Sequence, residues 1–294
     1  MSAEAPRRPS VEAQRAAGQS AERDRVRRAA VLGKPIAHSL SPVLHNAGYA
    51  AAGLTGWRYT AIECAEAELA GLVAGLGPEW AGLSLTMPLK EVALVVADDV
   101  SPVAAALGAA NTLVRHPHGW GADNTDAPGM VDALRSVGLS TVDTVAVLGA
   151  GGTARAALAA SRDLGASRVT VYARRPEAVT ALSPVAEHLG LPLSYADFAR
   201  AAECARADLV ISTVPKGVAD DLNPAWRPET VLFDALYDPW PTPLAAGAQA
   251  AGCPIVSGLD LLLTQALHQF AMFTGRPAPA RAMRTALFDA AARR

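Results

Sequence analysis

Cysteine, charge and long apolar runs are all scarce in this sequence. The three cysteines, Cys64, Cys204 and Cys253, lie far apart and are odd in number. Their spacing fits neither a disulfide framework nor a metal site, so we expect no metal and a reducing, cytoplasmic compartment. No uncharged run reaches the ~18 apolar residues of a membrane span, so no membrane association is expected. With a net charge of −2, nucleic acid is not indicated as a partner either.

The first 30 residues differ in composition from the rest of the chain. They contain seven arginines, four acidic residues and almost no large apolar side chains. They have no apolar segment of the kind found in secretory signals, and their composition predicts a mobile tail over residues 1–28. The remaining length is sufficient for two domains with separate cores.

Strand and helix patterns alternate along most of the chain, which predicts an α/β fold with parallel sheets covered by helices on both faces. Two helical segments follow the last predicted strand, and we expect them to pack on the first domain. The predicted strands are 29–33, 57–63 and 81–85, a hairpin around 117–119, then 144–149, 168–173, 192–195, 208–213, 230–235 and 254–257.

A glycine-rich turn lies between an apolar strand and a helix in the segment TVAVLGAGGTARAAL. Gly149, Gly151 and Ala154 match the dinucleotide-binding fingerprint. Gly149 permits the tight turn, Gly151 lets a pyrophosphate approach the backbone, and Ala154 lets the helix lie close to the strand. The helix N-terminus offers free N–H groups to the phosphates. This segment therefore predicts a dinucleotide site.

The end of the following strand indicates which dinucleotide binds. An NAD site would carry an acidic residue there for the ribose 2′-hydroxyl. Here Ala173 is followed by Arg174 and Arg175. Guanidinium groups bind a 2′-phosphate through charged hydrogen bonds, whereas a carboxylate would repel it. NADP is therefore the favoured cofactor.

Lys90 and Asp126 are the candidate acid–base residues. A dehydrogenase acting on an alcohol must transfer the hydroxyl proton as hydride leaves the carbon. Lys90 is expected one turn into a helix after the segment TMP. Thr86 and Asn111 lie nearby at predicted strand ends, where ligands gather in open α/β sheets. The sequence leaves open which of Lys90 and Asp126 transfers the proton.

The segment IAHSLSPVLHN (36–46) is polar at the start of a predicted helix. Ser41 is expected to be the N-cap and Pro42 the first helical residue. That leaves Ser39 without a local structural reason. His38 and His45 are expected to be structural.

Seven motifs occur in the order seen in shikimate dehydrogenases, and the chain resembles this family over roughly 31–290. They are VLGKPIAHSLSPVLHN, LSLTMPLKE, LGAANTLV, GADNTDAPG, VLGAGGTARAAL, FDALYDPWPTPL and GLDLLLTQALHQF. The resemblance implies a substrate domain (29–127), an NADP-binding Rossmann domain (128–257) and C-terminal helices (258–294) that return to the substrate domain. It also implies reversible NADPH-dependent reduction of 3-dehydroshikimate to shikimate, in aromatic amino acid biosynthesis, by a monomer or homodimer.

The resemblance implies a role for each matching residue. Ser39 and Ser41 would hold the substrate carboxylate, and Lys90 with Asp126 would be the catalytic pair. The other substrate-binding residues implied are Thr86, Asn111, Tyr237 and Gln265. The cofactor-binding residues implied are Gly149, Ala150, Gly151, Gly152, Thr153, Ala154, Arg174, Arg175, Thr213, Val214, Gly258 and Leu261.

Three positions depart from the family pattern. Ser84 stands where the family usually has asparagine, Ala173–Arg175 replaces Asn-Arg-Thr, and Leu261 replaces a methionine. Two alternatives remain open: an NAD-dependent quinate/shikimate dehydrogenase and a ligand sensor without turnover. A methylenetetrahydrofolate dehydrogenase shares the architecture but would not need the serine pair. The serine pair fits shikimate, because quinate carries an extra hydroxyl at the carboxylate-bearing carbon. Retention of Lys90 and Asp126 argues against a sensor.

Overall fold

The structure is a computed structural model that describes residues 26–294. The predicted tail, residues 1–28, lies outside the described residues except for its last three positions. The strands are β1 (Arg27–Gly33), β2 (Trp57–Glu63), β3 (Trp80–Leu85), β4 (Asp99–Val100), β5 (Thr112–His116), β6 (Gly119–Asp123), β7 (Thr144–Leu148), β8 (Arg168–Ala173), β9 (Leu193–Asp197), β10 (Leu209–Ser212), β11 (Val231–Asp234) and β12 (Ile255–Ser257).

The helices lie between and after these strands, and a 3₁₀ helix covers Phe198–Arg206. The α-helices are α1 (Ser41–Ala51), α2 (Glu66–Ala74), α3 (Ala93–Val96), α4 (Pro102–Leu107), α5 (Asp126–Ser136), α6 (Gly152–Asp163), α7 (Pro176–Thr180), α8 (Ser183–Leu189), α9 (Pro243–Ala250), α10 (Gly258–Thr274) and α11 (Ala280–Ala291).

The first sheet has the strand order β2-β1-β3-β5-β6-β4. Strand β1 pairs in parallel with β2 and β3, whereas the β5–β6 hairpin adds antiparallel pairs, so this sheet is mixed. Successive side chains of a strand point to opposite faces. Val31 accordingly packs in a core with Leu44 of α1 and Phe270 of α10, while Leu32 packs in a second core with Leu69 of α2.

The second sheet is parallel throughout, in the order β12-β11-β10-β7-β8-β9. Val145 and Val147 of β7 pack in one core, and Ala146 and Leu148 pack in another. A strand buried on both faces reads as a continuous apolar run. This explains why TVAVL was recognisable from the sequence.

The two C-terminal helices pack against the first sheet and its helices, as predicted. Helix α11 contacts α1, and α10 contacts α1, α5 and β3. Helix α10 lies close to both elements. A Cβ at Gly82 of β3 would lie 2.1 Å from the Phe273 ring, and a Cβ at Gly129 of α5 would lie 2.8 Å from the backbone nitrogen of Gln265. These contacts fix Gln265 beside the start of α5.

The predicted strands and the hairpin are present, with small shifts in their ends. Two local predictions are wrong. Lys90 lies in a turn before α3 rather than in a helix, where its carbonyl accepts a hydrogen bond from Ala110 N at 2.7 Å. The second concerns Ser41 and is described with the site. Among residues 26–294, none of the helices combines the length and apolar character needed to cross a bilayer.

Candidate active site

A cavity of about 350 Å³ opens at the carboxyl ends of β1 and β3, between α1, α5 and the start of α10. The eight residues predicted as catalytic or substrate-binding all line it, together with two of the predicted cofactor contacts. They are Ser39, Ser41, Thr86, Lys90, Asn111, Asp126, Tyr237 and Gln265, with Gly258 and Leu261. Residues from six distant segments of the chain therefore meet in one place.

Lys90 and Asp126 form an ion pair in this cavity. Lys90 Nζ donates to Asp126 Oδ2 at 2.5 Å, and the side chains are 22% and 11% exposed. The second carboxylate oxygen, Oδ1, accepts a hydrogen bond from Asn111 Nδ2 at 2.9 Å. Because both carboxylate oxygens are held by protein donors, Asp126 fixes the position of the ammonium group.

Asn124 and Thr125 connect this pair to the backbone. Asn124 Oδ1 accepts hydrogen bonds from the backbone nitrogens of Asp126 and Ala127, in the first turn of α5. Thr125 N donates to Asn111 Oδ1 at 2.8 Å. The polar residues of this Asn-Thr-Asp segment thus orient the start of α5 and its carboxylate.

The serine corner differs from the sequence prediction. Helix α1 begins at Ser41, and the N-cap residue, Leu40, makes no capping hydrogen bond with its side chain. Instead, Ser39 Oγ accepts a hydrogen bond from Ser41 N at 3.3 Å. The prediction that Ser41 is the N-cap is therefore wrong. Its hydroxyl is not used in capping and lies at the cavity.

His45 and Asn46 have structural surroundings. The His45 ring is fully buried and stacks on Tyr59 with centroids 4.2 Å apart. Burial lowers the pKa of His45 to about 3, an effect that the Gln269 side chain partly opposes. Asn46 joins α1 to β2 through both the carbonyl and the amide of Tyr59. Neither residue lines the cavity, whereas His38 lies at its exposed edge.

Two glycines allow close packing at the cavity wall. A Cβ at Gly33 would lie 2.4 Å from the Thr86 methyl group, and a Cβ at Gly258 would lie 2.1 Å from the Ala235 carbonyl oxygen. The second contact brings the start of α10 against the segment that carries Tyr237. Burial raises the pKa of Tyr237, although Arg294 partly opposes the shift. Its hydroxyl therefore stays protonated and able to donate.

A second cleft of about 310 Å³ lies at the carboxyl ends of β7 and β8. It is lined by the predicted residues Gly149, Ala150, Gly151, Arg174, Arg175, Thr213 and Val214. Gly149 has a φ of +95°, and a Cβ there would lie 2.9 Å from Thr213 Oγ1. Space is open around Gly151 and Gly152, so a ligand can reach the backbone at the start of α6. The exposed guanidiniums of Arg174 and Arg175 suit an anionic group. This cleft fits NADP.

Five predicted cofactor residues lie outside this cleft lining, and two of them, Gly258 and Leu261, line the first cavity. Gly152 and Thr153 line a third cavity, together with Thr86, Lys90 and Glu91, between the two sheets' ends. Ala154 is fully buried in the core beneath α6. The Ala154 side chain therefore packs the helix against the sheet and cannot contact a ligand, which corrects its assignment as a cofactor contact.

Two family models match the chain. The shikimate dehydrogenase substrate binding domain matches residues 31–113, and the shikimate 5′-dehydrogenase C-terminal domain matches residues 258–288. A shikimate dehydrogenase (NADP(+)) of Moorella thermoacetica is 37% identical over 273 residues, which cover 89% of this chain and 92% of that protein. The chain belongs to the shikimate dehydrogenase family.

Solved structures of the family share the fold. The shikimate dehydrogenase of Mycobacterium tuberculosis is 46% identical, with a TM-score of 0.82 over 90% of this chain and 99% of that one. The Thermus thermophilus enzyme, solved in complex with NADP(H) and shikimate, is 32% identical, with a TM-score of 0.78 over the same shares. The family and the two-domain α/β fold predicted from the sequence are confirmed.

The sequence prediction missed several residues of the cavity. Gln269 lines it one helical turn after Gln265, on the same face of α10. Ser84, noted above only as a departure from the family's asparagine, lines it from β3. The i, i+4 spacing of the two glutamines was the available signal. Phe198 likewise lines the dinucleotide cleft, from the 3₁₀ helix.

Proposed function

We propose that this chain is an NADP-dependent shikimate dehydrogenase, which interconverts 3-dehydroshikimate and shikimate in aromatic amino acid biosynthesis. The observation that carries the proposal is the Lys90–Asp126 ion pair in a cavity that also holds Ser39 and Ser41. The names of the curated relatives agree with the predicted activity and cofactor.

The two serines and the ion pair contact different parts of the substrate. The Ser39 and Ser41 hydroxyls bind the carboxylate, and Thr86, Asn111 and Gln265 bind ring hydroxyls. NADPH, when bound along the glycine-rich turn, supplies the hydride. Lys90 Nζ donates a proton to the ketone oxygen as it becomes a hydroxyl, and it accepts that proton in the reverse direction. Asp126 holds the ammonium group in place.

The second cleft supports NADP over NAD. Arg174 and Arg175 follow β8, where an NAD site would place a carboxylate for the ribose. Arg174 keeps the guanidinium of the family's Asn-Arg-Thr segment, and Arg175 adds a second positive charge. Both are exposed at the edge of the cleft. A 2′-phosphate can therefore bind there without desolvating a buried charge.

The predicted domain division is part of this proposal. Residues 29–127 with helices 258–294 would bind substrate, and residues 128–257 would bind NADP. The cavity and the cleft lie on the respective sheets. A monomer or homodimer and a cytoplasmic location stay predictions.

A four-way assay tests the proposed function. Purified protein is incubated with shikimate or quinate, each with NADP or NAD, and absorbance of the reduced nicotinamide is followed. We expect the highest kcat/KM with shikimate and NADP. A higher kcat/KM with quinate and NAD would favour the quinate alternative, and no turnover in any combination would favour a sensor.

A further inference from the structure

Ser84 and Gln269 form one side of the substrate cavity and have no role in the binding scheme above. Ser84 of β3 is 5% exposed and Gln269 of α10 is 1% exposed, and both line the cavity. Ser84 Oγ donates to Gln269 Oε1 at 2.6 Å. We call this pair the cavity floor.

The orientation of the Gln269 amide is fixed by a backbone carbonyl. Gln269 Nε2 lies 3.2 Å from the Asn111 carbonyl oxygen and 2.9 Å from Thr112 Oγ1. A carbonyl oxygen can only accept a hydrogen bond, so the amide nitrogen must be the atom that faces it. The amide oxygen, Oε1, must therefore face Ser84.

This orientation determines the acceptor to which each hydroxyl and amide hydrogen of the cavity floor is donated. Because Gln269 Oε1 can only accept, the Ser84 hydroxyl donates its single hydrogen to it. Tyr59 OH lies 2.5 Å from Ser84 Oγ and must then donate its own hydrogen to Ser84. Burial keeps the pKa of Tyr59 well above its usual range, so that hydrogen is retained. Both amide hydrogens of Gln269 are also used, on Asn111 and Thr112.

Only oxygen lone pairs remain available on the floor. A family member with asparagine at position 84 would present an amide with two N–H donors at this point. Here the side chain at this position is a shorter serine. The carboxamide that lines the cavity is that of Gln269, and its N–H donors face Asn111 and Thr112. The floor of this protein is consequently a surface that only accepts hydrogen bonds.

We propose that Ser84 and Gln269 are specificity-determining residues that accept a hydrogen bond from a non-reacting hydroxyl of the substrate and disfavour a carboxylate at that position. The proposal rests on the proposed function and deepens it. Two lone-pair oxygens repel a carboxylate, which has no hydrogen to donate. The floor thereby favours the pose in which the carboxylate lies at Ser39 and Ser41.

Variants of both floor residues test the proposal with shikimate and NADP. Gln269→Met and Ser84→Ala should each lower kcat/KM for shikimate about 3- to 10-fold, the effect of one neutral hydrogen bond. The loss should appear in the KM for shikimate, with kcat and the KM for NADP within about 2-fold. Matched controls are Gln249→Met and Ser194→Ala. Gln249 is an exposed residue of α9 and Ser194 an exposed residue of β9.

Two substrate analogues separate a specificity role from a structural one. Each analogue lacks one of the two non-reacting hydroxyls of shikimate. For one of them, the ratio of wild-type to Gln269→Met kcat/KM should fall to about 1, because the hydrogen bond is already absent. The other analogue should keep the ratio seen with shikimate.

Equal ratios of wild-type to Gln269→Met kcat/KM on shikimate and both analogues would overturn the proposal. The effect of the substitution would then not depend on either non-reacting hydroxyl. Thermal unfolding shows whether the Gln269→Met protein has lost its fold. If it has, the ratios of wild-type to Ser84→Ala kcat/KM on shikimate and the two analogues test the proposal, since that substitution is milder. Turnover of shikimate by the wild-type protein tests the proposed function separately, so the two failures cannot be confused.

Discussion

Asp126 joins Lys90 and Asn111 through its two carboxylate oxygens, Oδ2 to the ammonium at 2.5 Å and Oδ1 to the amide at 2.9 Å. Lys90 comes from a turn after β3, Asn111 from the position just before β5 and Asp126 from the start of α5. One carboxylate therefore holds together three segments of the first domain.

Asp126→Asn should lower kcat and also weaken shikimate binding, because the amide can no longer hold an ammonium group by charge. Combined with Lys90→Ala, the loss in kcat should be much smaller than the product of the two single losses. Steady-state kinetics of the three variants measures this coupling. Fully multiplicative losses would mean that the two residues act independently.

Ser39→Ala and Ser41→Ala should each raise the KM for shikimate, while the affinity for NADP stays unchanged. Since Ser41 does not cap α1, Ser41→Ala should leave the thermal unfolding temperature unaffected. Kinetics and thermal unfolding are measured on the same preparations. A lower unfolding temperature with a normal KM would show that the serine is structural.

Arg174→Ala should weaken the binding of NADP and leave the binding of NAD nearly unchanged. The wild-type protein should prefer NADP by at least about 10-fold in kcat/KM, because one charged phosphate contact contributes roughly 1.5–3 kcal/mol. Arg162→Ala is a suitable control, because that side chain is 51% exposed on α6 and paired with Asp163. Equal losses for both cofactors in Arg174→Ala would contradict this assignment of the 2′-phosphate.

His45 should make folding stability depend on pH. Its pKa of about 3 in the folded protein lies below the ordinary histidine value of 6.5, so the unfolded chain binds the proton more tightly. The contribution to stability is complete above about pH 6.5 and is lost as the pH falls toward 3. At pH 5 the loss from this group should reach about 2 kcal/mol.

Urea unfolding at pH 7.5 and pH 5 measures this loss. His45→Phe should reduce the difference in unfolding free energy between the two pH values. His188→Gln, at an exposed position of α8, should keep the wild-type difference. If His45→Phe also keeps it, the ring is not the group that titrates.

The sheets were predictable from the sequence because their strands are apolar on both faces or alternate clearly, as in TVAVL and AAVLG. The site was predictable through residues such as Lys90 and Asp126, whose polarity local structure does not require. The start of α1 was missed by one residue because the backbone of Leu40, rather than a serine hydroxyl, ends the preceding turn.

The floor of the cavity could not be predicted in this way. Gln269 has the pattern of an ordinary residue of an amphipathic helix, and Ser84 differs only in standing where the family has asparagine. Their relationship depends on the packing of α10 against β3, which brings together residues 185 positions apart. Local sequence patterns carry no information on a contact of that range.

Proton transfer at the substrate oxygen is the step assigned to Lys90. It is measured by kcat for Lys90→Ala with shikimate and NADP, together with the Kd for shikimate, using Lys34→Ala as an exposed control. Positioned acid–base groups contribute about 10²–10⁴ in rate, so kcat should fall by that factor. The Kd should change little, because the serines and Gln265 remain. A near-normal kcat in Lys90→Ala would contradict the assignment and leave Asp126 as the proton-transfer group.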